Sequence, residues 1–173
     1  MRKVRILYLL LLSVVLIAPP AMALDIYGFG SYWDKKDADG SWGTGLGLSL
    51  PLFTEHLRID GRVYFFQDSD FGYDDSLSLT PVDLGLQVHL MPASKVDPYF
   101  MGGISYIFAD ADYLDVDSSF GGYAGGGLEW TLGTSFLKLF GEIVYRFDTL
   151  DSNGPLDVDA SGINGNVGLK IHF

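Results

Sequence analysis

The stretch Trp42-Gly43-Thr44-Gly45-Leu46-Gly47-Leu48-Ser49-Leu50-Pro51-Leu52 decides the fold. Trp42, Thr44, Leu46, Leu48, Leu50 and Leu52 share one parity, and Gly43, Gly45, Gly47, Ser49 and Pro51 share the other. Successive side chains of a strand point to opposite faces, so this is a strand with one apolar face and one face of small residues. It is longer than the roughly 5–6 residues usual for strands in soluble proteins. It matches the roughly 9–11 residues a tilted strand needs to cross a bilayer.

The same period recurs on either side. Residues 57–66 set Leu57, Ile59, Gly61, Val63 and Phe65 against Arg58, Asp60, Arg62, Tyr64 and Phe66. Residues 82–90, 98–108, 120–132, 137–147 and 163–173 repeat the pattern. In the first strand, 25–33, Tyr27, Phe29 and Trp33 are expected on the apolar face, and Ile26 and Tyr32 run against that assignment. Connectors alternate along the chain: 34–41, 67–80, 109–119 and 148–162 are long and polar, and 53–56, 91–97 and 133–136 are short. The expectation is all-β, an eight-stranded antiparallel up-and-down transmembrane β-barrel with both termini at the short-turn end.

Composition narrows the field further. The chain has 173 residues, 48% hydrophobic and 14% aromatic, too apolar for a disordered segment. It has no Cys, which excludes a disulfide scaffold and a thiolate metal site. A net charge of −11 argues against nucleic acid as a partner. Residues 1–23 read as a cleaved signal peptide: Arg2, Lys3 and Arg5, an apolar run from Ile6 to Ala18, then Pro19-Pro20 and Ala21-Met22-Ala23. The barrel domain is then 24–173, with 8 basic residues against 22 acidic ones and a net charge of −14.

A soluble barrel turns its apolar face inward, and a membrane barrel turns it toward lipid. The polar parity carries Arg58, Asp60, Arg62, Asp83, Glu129, Lys138, Glu142, Arg146 and Lys170, nearly balanced in sign. Charges confined in a narrow lumen need that balance, because each must find a partner. An eight-stranded interior is just wide enough for side chains, so a self-neutralising plug is expected. Aromatics gather at strand ends as two girdles, with Trp33, Trp42, Tyr106 and Tyr145 toward the long loops and Trp130 and Phe173 toward the short turns.

These residues reach a family. The stretch Asp97-Pro98-Tyr99-Phe100-Met101-Gly102-Gly103-Ile104-Ser105-Tyr106 resembles a strand of the small eight-stranded bacterial outer-membrane barrels, the group of the OmpA transmembrane domain, OmpX and OmpW. The last strand, with Val167, Leu169, Ile171 and Phe173, resembles the C-terminal signal read by the outer-membrane insertion machinery. The resemblance implies export through the inner membrane and residence in the outer membrane of a bacterium, among outer-membrane lipid and lipopolysaccharide. The sequence departs from full-length OmpA in stopping at the last strand, so an envelope-tethering role through a peptidoglycan-binding domain is not expected.

Candidate chemistry is sparse. His89 and His172 fall on lumen faces near the short turns, away from the end where lipid A would lie, and no His-x-Ser motif is present. The four long connectors carry aspartates throughout, against only Lys35 and Lys36. Asp37, Asp39, Asp110 and Asp112 are weak calcium candidates, because the Asp-x-Asp spacing never continues to a complete calcium loop. The expected protein is therefore a non-enzymatic monomer without a cofactor, in a structural, adhesion or surface-interaction role, with divalent cations as partners of the acidic loops. The alternatives are a narrow pore for small or apolar solutes, as in OmpW-like proteins, and a lipid A-modifying enzyme.

Overall fold

The computed structural model describes residues 24–36, 40–68, 77–111, 119–133, 136–150 and 158–173. Residues 1–23, the expected signal peptide, lie outside the described residues. Eight long strands run antiparallel: β1 (Asp25–Lys35), β2 (Ser41–Leu52), β3 (Thr54–Asp68), β4 (Leu77–His89), β5 (Val96–Ala111), β6 (Ser119–Thr131), β7 (Leu137–Phe147) and β10 (Gly162–His172). They close in the order β1-β10-β7-β6-β5-β4-β3-β2. The closing seam pairs Tyr27 with Lys170 and Phe29 with Gly168, so no backbone edge faces outward there. The last long connector, expected as a loop over 148–162, contains a short ladder of β8 (Thr149–Leu150) and β9 (Val158–Asp159).

Alternation sorts the side chains. Leu46, Leu84, Ile104, Leu128, Ile143, Val167 and Leu169 point outward and are exposed. Exposed aromatics ring this belt at both ends. Trp42, Phe65, Phe108, Phe120, Tyr145 and Phe147 lie at the long-loop end, and Phe53, Phe100, Trp130, Phe136 and Phe173 lie at the short-turn end. Tyr106 packs edge-on against Phe108 and Phe120 in the upper ring. A continuous apolar belt between two aromatic rings is a surface suited to lipid, far larger than the apolar patches soluble monomers expose.

The first strand reverses its expected faces. Tyr27, Phe29 and Trp33 are buried inside the barrel, and Ile26 and Tyr32 face outward, with Tyr32 against Trp42. Trp33 is therefore no girdle residue: its exposure is 0%, against 76% for Trp42. The physical cause lies on β2. A methyl group added at inward-facing Gly45 would fall inside the Phe29 ring, and one at Gly47 inside the Tyr27 ring. The glycine column of β2 is thus the space that the aromatic column of β1 fills. The first short turn is also tighter than the expected 53–56: Phe53 alone links β2 to β3, with φ 66°, beside a register shift at Pro51/Leu52.

Candidate functional site

The lumen holds the only dense set of polar side chains that the barrel positions rigidly among the described residues. Period-2 alternation aims every expected lumen charge inward. Arg58, Asp60, Arg62, Asp83, Glu129, Glu142, Arg146 and Lys170 are buried, and Lys138 is half-buried at the short-turn mouth.

At mid-barrel, Arg62 forks onto Glu142, with Nη1 2.5 Å from Oε2 and Nη2 3.0 Å from Oε1. Its Nε donates to Asp60. Arg62 is on β3 and Glu142 on β7, which stand opposite each other in the strand order, so this bidentate pair lies across the lumen. Asp60 also accepts from Tyr27 and from Gln87 Nε2, and Glu142 accepts from Tyr99 and Asn166. Each buried carboxylate thus has several donors, which a buried charge requires.

Toward the long loops, Arg146 forks onto Asp83, with Nη1 3.0 Å from Oδ2 and Nη2 2.7 Å from Oδ1. Its Nη2 also donates to Ser105 Oγ at 2.7 Å. Its guanidinium lies 5.1 Å from the Trp33 ring and 5.0 Å from the Tyr64 ring, between two aromatic faces. Trp33, Phe66, Leu79, Ile107 and Ala160 fill the remaining space at that end. Asp148, expected in an exposed acidic loop, is buried here with Oδ2 3.1 Å from Arg146 Nε. It continues the inward parity of Glu142, Val144 and Arg146.

Toward the short turns the packing changes. Glu129 accepts from Lys170 and, at 2.9 Å, from Lys138. Arg58 donates to Asp25, which also meets His172 Nδ1 at 2.6 Å. His89 Nδ1 lies 2.7 Å from Asp97 Oδ2. Between these residues and the short turns is a cavity of about 600 Å³, lined by Glu55, Arg58, His89, Asp97, Thr131 and Lys138 among others.

The sequence places Asp60 and Asp83 on neighbouring inward positions as acids for Arg58 and Arg62. Arg62 does pair with Asp60, whereas Asp83, its cross-strand neighbour, is forked by Arg146, and Arg58 takes Asp25. Asp25 and Asp97 were not anticipated in the network. Asp25 shares the parity of Tyr27 and Phe29, so inverting the faces of β1 also hid Asp25. Of the calcium candidates, Asp110 lies at the end of β5, and Asp37, Asp39 and Asp112 lie outside the described residues.

Solved structures share this architecture. The outer membrane protein OprG from Pseudomonas aeruginosa superposes with a TM-score of 0.69 at 16% identity, covering 88% of this chain and 96% of that one. The fold is that of the small outer-membrane barrels. Neisserial surface protein A matches with a TM-score of 0.70 at 13% identity, over 88% of this chain and 97% of that one. Ail, the attachment invasion locus protein of Yersinia pestis, matches with a TM-score of 0.52 at 12% identity, over 88% and 97%. No family model matches the chain, and no curated protein matches it.

Proposed function

We propose that the chain spans the outer membrane as a closed, non-conducting barrel that anchors and displays acidic loops, and that it catalyses no reaction. One observation carries this reading: the Arg62–Glu142 fork, between opposite strands, lies across a lumen whose inward side chains are nearly all buried. A water path would have to pass that pair and then the aromatic cluster around Trp33. Among the structures of this fold, a Neisserial surface protein and an attachment invasion locus protein fit display rather than catalysis. Ail has also been solved with the heparin analogue sucrose octasulfate. The long connectors here are rich in aspartate, so a sulfated polysaccharide would be repelled. Lipopolysaccharide bridged by divalent cations, or a basic surface, fits them better.

Planar-bilayer recording tests the closed barrel. Reconstituted protein should give no stable conductance steps, whereas a uniform step at each insertion event would favour the narrow pore. For assembly, the outward-facing Val167, Leu169 and Ile171 with Phe173 support recognition by the insertion machinery. Deleting Phe173 should lower the folded fraction in cells far more than it lowers the stability of barrel refolded in detergent. Equal losses in both would remove that role.

A further inference from the structure

Three side chains from three strands come together beside the short-turn cavity, which His89 and Asp97 line directly. Asp97 on β5 and Glu129 on β6 are direct cross-strand partners, so their carboxylates enter the lumen side by side. His89, the last residue of β4, stacks on Tyr99 at 4.9 Å between ring centres. One ring nitrogen of His89, one oxygen of Asp97 and one oxygen of Glu129 lie within 4.8 Å of one another, and all three residues are buried.

The imidazole contacts point to a cation. Nδ1 lies 2.7 Å from Asp97 Oδ2, and Nε2 lies 3.2 Å from Gln87 Oε1. A neutral imidazole has a single N–H, so one of these contacts would set lone pair against lone pair. Gln87 cannot relieve this by turning its amide, because its Nε2 donates to Asp60 Oδ2 at 3.0 Å. Turned, it would place its oxygen against that carboxylate. A cation on Nδ1 removes the conflict: Nε2–H then donates to Gln87, and the Nδ1 lone pair and both carboxylates converge on the cation.

We propose that His89, Asp97 and Glu129 bind a divalent transition-metal ion at the inner edge of this cavity. One imidazole nitrogen and two carboxylate oxygens suit zinc, with a further position open to the cavity. Each ligand already has an outer partner that fixes its orientation. Gln87 holds the imidazole, the Met91 N–H donates to Asp97 Oδ1 at 2.8 Å, and Lys170 donates to Glu129. The cavity is the entry path. Lys138 opposes binding, since its ammonium sits 2.9 Å from Glu129 Oε2 and must swing aside for the ion. Its side chain borders the cavity, which gives it room to turn.

The test is calorimetric titration of Zn²⁺ into tag-free, metal-free barrel refolded in detergent at neutral pH. The expected result is saturable binding of one ion per barrel. His89→Ala and Glu129→Gln should each weaken it by about tenfold or more. Lys138→Met should tighten it severalfold by freeing a Glu129 oxygen, and His172→Asn should leave it unchanged. Heat-modifiable migration on a gel reports folding of each variant. Lys138→Met substitutes a half-buried mouth residue, so it keeps the test decisive if His89→Ala does not fold. Absence of saturable binding in both wild type and Lys138→Met would overturn the proposal and assign the cation to a proton on His89. Binding that tolerates His89→Ala, or that Lys138→Met leaves unaltered, would place the ion elsewhere and equally overturn it.

Discussion

The two ends of the lumen are built from the same eight strands but filled differently. At the long-loop end, Trp33 and Tyr64 flank Arg146, and Phe66 stacks on Tyr64. At the short-turn end, lysines, histidines and carboxylates line a cavity of about 600 Å³. The contrast teaches what sets the worth of an ion pair in a barrel. Where rigid rings exclude water, a charge that loses its partner has no substitute. Where a half-buried side chain such as Lys138 borders a cavity, water can replace it and its pair is worth little.

Substitutions can break this comparison, and the largest effect is expected at mid-lumen. Arg62→Ala strands both Asp60 and Glu142 and should cost about 3–5 kcal/mol, read as a lower urea midpoint in refolded barrel. An effect below about 1 kcal/mol would mean that water reaches this pair as it reaches the mouth. Next comes the outer face, which should differ from both ends of the lumen. Leu169→Arg should cost about 2–4 kcal/mol when the barrel is refolded in lipid bilayers. Tolerance of arginine there would contradict a lipid-facing parity.

Packing within the lumen gives a smaller effect. Gly45→Ala forces a methyl group into the Phe29 ring and should cost about 1–3 kcal/mol. Gly30 faces outward with nothing within 4 Å of an added Cβ, so Gly30→Ala should be nearly neutral. Equal costs at the two glycines would undo the glycine–aromatic complementarity of β1 and β2. The smallest effect belongs to the mouth. Lys138→Ala removes a partly exposed ammonium while Lys170 still holds Glu129, and it should cost no more than about 1 kcal/mol.

Much of this fold was legible in the sequence because lipid imposes a strict rule. Every second residue of each long strand must be apolar, and Leu46, Leu128 and Val167 obey it. The rule fails where both parities are aromatic. In β1, Ile26 and Tyr32 face out while Tyr27, Phe29 and Trp33 face in, and hydropathy cannot rank those two sets. Only the glycines of β2, read as receptors for rings across the register, would have decided it. Asp148 was hidden by its place among loop aspartates, although it keeps the inward parity of Arg146. Partners were less legible than faces. Arg62 and Glu142 are 80 residues apart and meet only because the barrel closes, which no local pattern encodes. The same holds for Asp97 and Glu129, whose meeting depends on the β5–β6 register.

The central claim is that the lumen is open to water at its short-turn end and closed above it. Two single cysteines in the refolded barrel test it directly, using a small, charged thiol reagent. Thr131→Cys, at the cavity, should react at the rate of an exposed thiol. Ser31→Cys, buried on the inner face of β1, should stay protected for as long as the barrel is folded. Reaction of Ser31→Cys as fast as Thr131→Cys would mean a continuous aqueous path and would contradict the closed barrel.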